Sequence, residues 1–154
     1  QACDRISPAF YPKFKHDCDE YFFITHRGEA RGIGGIFYDY LRPDPSFSGN
    51  QYLELAKHCG DAFLNGYEPI VKKRKDISYT HEERNWQLYR RGRYVEFNLV
   101  QDRGTLFGLK TNGRVESILM SLPPLARWEY DFNPAARSRE DELQKVLKNP
   151  RTWI

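Results

Sequence analysis

The chain has 154 residues, of which 40% are hydrophobic and 15% aromatic, which suffices for one domain with a real core and excludes a disordered tail. A net charge of +3 is too small to argue for nucleic acid on electrostatics alone, and no apolar run is long enough to span a bilayer. Cys3, Cys18 and Cys59 form neither a metal spacing nor an even framework, which points to a reducing compartment and inert thiols. The first residue is Gln, with no initiator Met and no signal or transit-like segment, so the expectation is a chain that begins inside a longer protein.

Ser7-Pro8 predicts a helix start, and Phe10, Phe14 and Cys18 at i, i+4, i+8 give it one apolar face to about Glu20. Tyr21 to Ile24 is predicted as a strand. The charged turn His26 to Gly32 follows, then a second strand over Ile33 to Tyr38 with Gly34-Gly35 inside it. No GxGxxG or Walker spacing occurs. Arg42 to Ser46 is a proline loop. A helix is predicted from Gln51 to Asn65 on the stripe Tyr52, Leu55, Ala56, Cys59 and Phe63. Gly66 interrupts it, and Pro69 starts another that ends in the basic run Lys72 to Lys75, which reads as a solvated helix end. Thr80 and Glu83 form a capping box for a helix that carries Trp86, ends at Arg91 and is stopped by Gly92.

The stretch from Tyr94 to Tyr130 is the organising segment of this reading. Tyr94 to Val100 and Thr105 to Lys110 are predicted as the two strands of a hairpin turned at Asp102-Arg103-Gly104, and Thr111-Asn112-Gly113 makes a second turn before Arg114. Arg114 to Ser121 is predicted as a short helix, with a strand as the alternative. Arg127 to Tyr130 resumes in extended form, and the last helix runs from about Arg139 to Lys148. With no internal repeat, the pattern is α+β: antiparallel strands with helices packed on the sheet.

The candidate chemistry lies at the predicted strand ends. Arginine forks match carboxylates and phosphates in two places, so Arg31 and an Asn112-Gly113-Arg114 anion site have a physical rationale, the latter helped by a helix start. Against them stand an Arg31–Glu29 pair across the pleat and an ordinary tight turn with a surface arginine. Asp102 is a general base, an acceptor for ligand N–H groups, or a turn aspartate bonding its own backbone. His26 is a metal ligand, an acid or base, or a satisfied interface histidine, and the lack of a second ligand at short spacing favours the last. No Ser/His/Asp or Cys/His arrangement can be assigned. The residues by themselves reach a domain that binds an anionic ligand on a sheet.

Asp19 to Phe23 with His26 to Phe37, then Arg90 to Val100, Asp102 to Thr105, Glu116 to Pro123 and Ala126 to Tyr130, resemble the oxygen-dependent coproporphyrinogen III oxidase family over nearly the whole chain. Gln101 departs from the pattern where Tyr is common, and the Pro43 to Asn50 loop is variable in such proteins. The resemblance implies a large, flat antiparallel sheet flanked by helices on both faces, of which residues 1–154 form the C-terminal part. It implies oxidative decarboxylation of two propionates of coproporphyrinogen III to vinyls, giving protoporphyrinogen IX in haem synthesis, with O2 as oxidant and no cofactor. A divalent metal is allowed but not required, and His26 is a ligand only where a bacterial-type metal site exists. A homodimer is implied, with contacts from His26 and the Tyr94 to Tyr130 segment. Asp102 matches an aspartate facing the pyrrole N–H groups, Arg31 an arginine holding a propionate, and Asn112, Gly113 and Arg114 a substrate-binding turn. The cytoplasm is the implied compartment, the mitochondrial intermembrane space the alternative. With the upstream part of such a protein missing, these residues alone are expected to turn over negligibly.

Two other readings compete. One is a non-catalytic tetrapyrrole- or carboxylate-binding module on the same scaffold. The other is an RNA-binding sheet, set aside because Tyr94 and Phe97 have opposite strand parity and the charge is low.

Overall fold

The computed structural model describes residues 1–153, which divide into two compact units. The first comprises Gln1–Tyr21 and Gly34–Ser78, and the second Phe22–Ile33 and residues 79–153. Helices dominate both. Among the described residues there is one sheet, of two strands with two residues each. The large flat antiparallel sheet expected from the family resemblance is therefore not the architecture of this chain.

In the first unit, α1 (Phe10–Tyr21) buries Phe10, Phe14 and Cys18, the i, i+4, i+8 face predicted from the sequence. They join Cys3 and Leu55 in an aromatic-rich core, where the Phe10 and Phe14 rings stand 5.1 Å apart and Tyr38 lies 4.8 Å from Phe14. Residues 33–38 are not the predicted strand. Gly34 and Gly35 hold φ at 117° and 156°, outside the strand range, and Phe37 N–H donates to the Phe14 carbonyl at 2.9 Å in place of a ladder. The segment drapes over α1 and contributes Ile36 and Tyr38 to the core.

The second helix, α2 (Gly49–Arg74), starts two residues earlier than predicted because Ser48 and Gln51 cap one another reciprocally. It then runs through both predicted breaks, Gly66 and Pro69. Pro69 forfeits one backbone hydrogen bond there, and residues 60–74 are exposed throughout, so no buried contact offsets the loss.

In the second unit, β1 (Phe23–Ile24) pairs antiparallel with β2 (Glu29–Ala30) through the turn Thr25–Arg27 and a left-handed Gly28. The Thr80/Glu83 capping box opens α3 (His81–Val100) as predicted. The helix does not stop at Gly92, and it absorbs the whole of the predicted strand Tyr94 to Val100. Its buried positions explain why. Tyr89, Arg93 and Phe97 recur every fourth residue straight across Gly92, a stripe that an alternating strand could not bury. Tyr94 and Phe97 thus share a helix face at i, i+3, and the parity argument used to set aside an RNA-binding sheet falls with the strand.

Gly92 has a different job from the one its identity advertised. A Cβ at this position would collide with the Arg127 carbonyl oxygen and stand 3.3 Å from its carbon. Arg127 N–H donates to the Leu88 carbonyl at 3.0 Å, so the extended chain around Arg127 lies directly on α3, and only glycine lets it do so.

The second predicted strand of the hairpin is α4 (Arg103–Lys110), capped by Asp102. Then come α5 (Val115–Ile118), shorter than predicted, and α6 (Arg139–Lys148) within the predicted bounds. α6 packs on β2 and buries Leu147. No helix of the described residues is long and apolar enough to cross a membrane.

Gly92→Ala should lower stability in urea denaturation, although alanine is worth about 1 kcal/mol more than glycine in a helix interior. A gain in stability would mean that the Arg127 chain moves aside without cost.

Candidate functional site

The sequence-predicted groups all fall in the second unit, around the hairpin β1–β2 and α3. Their geometry starts from an ion network that the sequence reading missed. Glu29, 3% exposed, accepts from Arg90 Nη1 at 2.7 Å and from Arg93 Nε at 3.1 Å. Arg93, 5% exposed, also donates to the Tyr89 hydroxyl. Its Nη1 lies 3.6 Å from Glu96. Glu96 in turn holds Arg27 through two contacts, 2.9 and 3.2 Å, and His26 Nε2 at 2.8 Å. Burial alone would push the Glu96 carboxyl up. The hydrogen bonds from Arg27 and His26 and the charges of Arg27 and Arg93 outweigh it and hold the group below the usual glutamate range. The signal for this network was present as Arg90, Arg93 and Glu96 at helical spacing, but it is visible only once the helix is carried through Gly92.

Glu29 is thus held from α3 by Arg90 and Arg93. The Arg31 guanidinium sits among three rings, 4.2 Å from the centroid of Phe22, 4.9 Å from Phe97 and 5.0 Å from Tyr94. Stacking uses the faces of the guanidinium plane, and the N–H groups point out from its edge, where a carboxylate is gripped. Asp102 lies near the same point of α3: its own N–H donates to the Phe97 carbonyl at 3.0 Å, and its Oδ2 accepts from Thr105 N–H at 2.7 Å. Next to it, the Gln101 side chain ties the end of α3 to β1, donating to the Phe23 carbonyl at 3.2 Å, while its buried Oε1 has no hydrogen-bond partner. Arg31 and Asp102 thus both border Phe97.

The Asn112-Gly113-Arg114 turn is at the other end of α4. Eight helical residues put it about 12 Å along the axis from Asp102. Asn112 takes a left-handed φ of 56°, and Gly113 N–H closes the turn on the Gly108 carbonyl at 2.9 Å. Arg114 is exposed, with its Nε 4.0 Å from Glu116. The α5 helix that it precedes has four residues, too short to add the helix-start field invoked for an anion. Among the described residues, no group of three His, Cys, Asp or Glu gathers as a metal site, and His26 faces Glu96. A cavity of about 390 Å³ in this unit, between α3 and the chain from 127 to 140, is lined by none of the predicted substrate groups, although Arg127 and Glu129 of the expected dimer segment border it.

Comparison with known proteins decides the family. The family model for coproporphyrinogen III oxidase matches residues 1–153. The chain belongs to the coproporphyrinogen III oxidase family. Among curated relatives, an oxygen-dependent coproporphyrinogen-III oxidase of Prochlorococcus marinus (strain MIT 9313) is 53% identical over all of this chain and 50% of its own length. A chloroplastic oxygen-dependent coproporphyrinogen-III oxidase of Glycine max is also 53% identical over the whole chain, which covers 39% of that protein. The chain thus spans about half the length, or less, of the coproporphyrinogen oxidases it matches.

The stability that Glu96 lends is complete above 4.5, the ordinary value of its carboxyl, and is lost as pH falls through its lowered folded value. Native protein should therefore exceed Glu96→Gln in unfolding free energy near neutrality, with the gap closing as pH drops below 4.5. A gap that stays constant deep into acid would show that the His26 and Arg27 pairs contribute nothing.

Proposed function

We propose that this chain is the C-terminal part of an oxygen-dependent coproporphyrinogen oxidase, which converts two propionates of coproporphyrinogen III to vinyls and yields protoporphyrinogen IX. The observation that carries the reading is whole-chain identity of 53% with relatives bearing that name. Each ionised propionate loses carbon dioxide and leaves two electrons and one proton, which with a second proton from solvent reduce O2 to hydrogen peroxide, so O2 serves as the oxidant in this reading without an organic cofactor. The free thiols favour a reducing compartment such as the cytoplasm.

Arg31, held among the Phe22, Tyr94 and Phe97 rings, takes a propionate. Such an arrangement is pre-organised, since the side chain loses little further freedom on binding. Asp102 faces the pyrrole N–H groups and stabilises positive charge as electrons leave the ring. Arg114, about 12 Å away along α4, reaches a different acid arm, a separation on the scale of a tetrapyrrole with its side chains. This differs from a single tight anion pocket: the groups are spread along the α3–α4 corner.

The proposed dimer uses the Tyr94 to Tyr130 segment. Its support is the run of exposed apolar side chains there, Leu99, Val100, Phe107, Val115, Met120 and Leu125 among them. Phe107→Glu with Met120→Glu should turn dimer into monomer in sedimentation velocity, and an unchanged dimer would place the interface elsewhere.

Asp102 offers the test of the site, because its helix cap and its proposed catalytic role can be separated. Serine caps as well as aspartate, whereas alanine costs about 1 kcal/mol. In the full-length protein, Asp102→Ser should keep the stability that Asp102→Ala loses, yet both should form vinyl product about a hundredfold more slowly. Full turnover in the serine variant would leave Asp102 with the cap alone. Porphyrinogen binding without vinyl product in the unmodified full-length protein would favour a non-catalytic module.

A further inference from the structure

The cavity between α3 and residues 127–140 has a character opposite to that of the arginine-bearing site. Its wall is aromatic. Trp86 and Tyr89 stack at 5.5 Å with their planes 17° apart, and Phe132 stands 4.8 Å from Tyr89 and 6.1 Å from Trp86. Helical spacing puts Glu82 on the same stripe, at i, i+4, i+7 with Trp86 and Tyr89. Glu129 and Glu140 complete an acidic lining.

Three carboxylates face one guanidinium in that lining. Arg127 pairs with Glu129 at 2.7 Å. Glu82 and Glu140 are in no ion pair with a cationic side chain among the described residues. Two more guanidiniums already lie at the rings, Arg90 5.8 Å from Trp86 and Arg93 4.4 Å from Tyr89, and both are committed to the buried Glu29. Glu82 and Glu140 also occupy the first turns of α3 and α6, so the helix ends that would otherwise attract an anion already have their negative charge. An acidic ligand would meet repulsion here. A bare metal ion would lack a set of converging ligands among the described residues. A cation with apolar substituents gains on both counts: the aromatic wall takes its carbon groups and the carboxylates neutralise its charge.

We propose that this cavity binds a small organic cation with an alkylammonium or guanidinium head, its carbon groups against Trp86, Tyr89 and Phe132 and its charge toward Glu82 and Glu140. A cavity of about 390 Å³ lies in the range of small-molecule sites, which favours a free cation over the side chain of a protein partner. The inference stands apart from the oxidase reading, because none of the residues assigned to porphyrinogen lines this cavity.

The test is fluorine NMR on the full-length protein labelled with fluorotryptophan, with the Trp86 resonance assigned by its loss in Trp86→Phe. Choline or agmatine should shift that resonance saturably, with Kd in the millimolar range, and choline's uncharged isostere dimethylbutanol should bind about tenfold more weakly. Glu82→Gln with Glu140→Gln, which keeps side-chain shape and in which circular dichroism checks that α3 and α6 persist, should weaken choline about tenfold. Equal binding of choline and dimethylbutanol would make this an apolar pocket and overturn the proposal. So would a shift produced by propionate in place of choline, a shift produced only by capped arginine peptides, or no saturation at about 100 mM choline.

Discussion

The buried carboxylate of Glu29 is the constraint on which the second unit depends. It leaves β2 and enters α3, where Arg90 and Arg93, three residues apart, close on it. A charge this deep is tolerable only while both partners hold it, and removing one side of such a group typically costs about 3–5 kcal/mol. The pairing chooses which face of α3 meets the hairpin. Once that is settled, Glu96 is in reach of His26 and Arg27, and the residue after β2, Arg31, is delivered to the rings of Phe22, Tyr94 and Phe97.

The same arrangement gives the candidate residues two tasks each. Arg31 is packed among the rings of Phe22, Tyr94 and Phe97 and is the proposed propionate holder. Asp102 caps α4 and sits one hydrogen bond from the Phe97 carbonyl. Structural anchoring of this kind is what a binding group needs, since a side chain already held by packing keeps its geometry when a ligand arrives. It also means that truncating either residue would disturb the fold along with any proposed role in binding or chemistry, and only shape-preserving substitutions separate the two.

Charge is divided within the unit. Arginines concentrate where β1, β2 and the end of α3 meet, while the start of α3 and the start of α6 carry unpaired carboxylates beside three aromatic rings. One chain with a net charge of only +3 thus presents regions of opposite preference, which the sum conceals. The first unit makes a different contribution: a tight core around Phe10, Phe14 and Leu55, and an α2 whose second half keeps Phe63, Leu64, Tyr67 and Ile70 on the surface.

What the sequence determined by itself was local chemistry and family. The apolar face of α1, the Thr80/Glu83 capping box and the bounds of α6 follow from side chains within a few residues of one another, and the motifs from Asp19 to Tyr130 specify the oxidase family without reference to shape. Tertiary structure alone decided the rest. Tyr94 to Val100 is rich in strand-forming residues, yet it is helical because Arg93 and Phe97 must meet the hairpin on a four-residue period. Gly92 looked like a stop, yet it is the place where the Arg127 backbone rests on α3. Glu29 and Arg93 stand 64 residues apart in the chain, and no local pattern announces that one buried charge will claim the other. Propensity is worth tenths of a kcal/mol per residue, whereas an unmet buried charge costs several, so the long-range pair prevails wherever the two disagree.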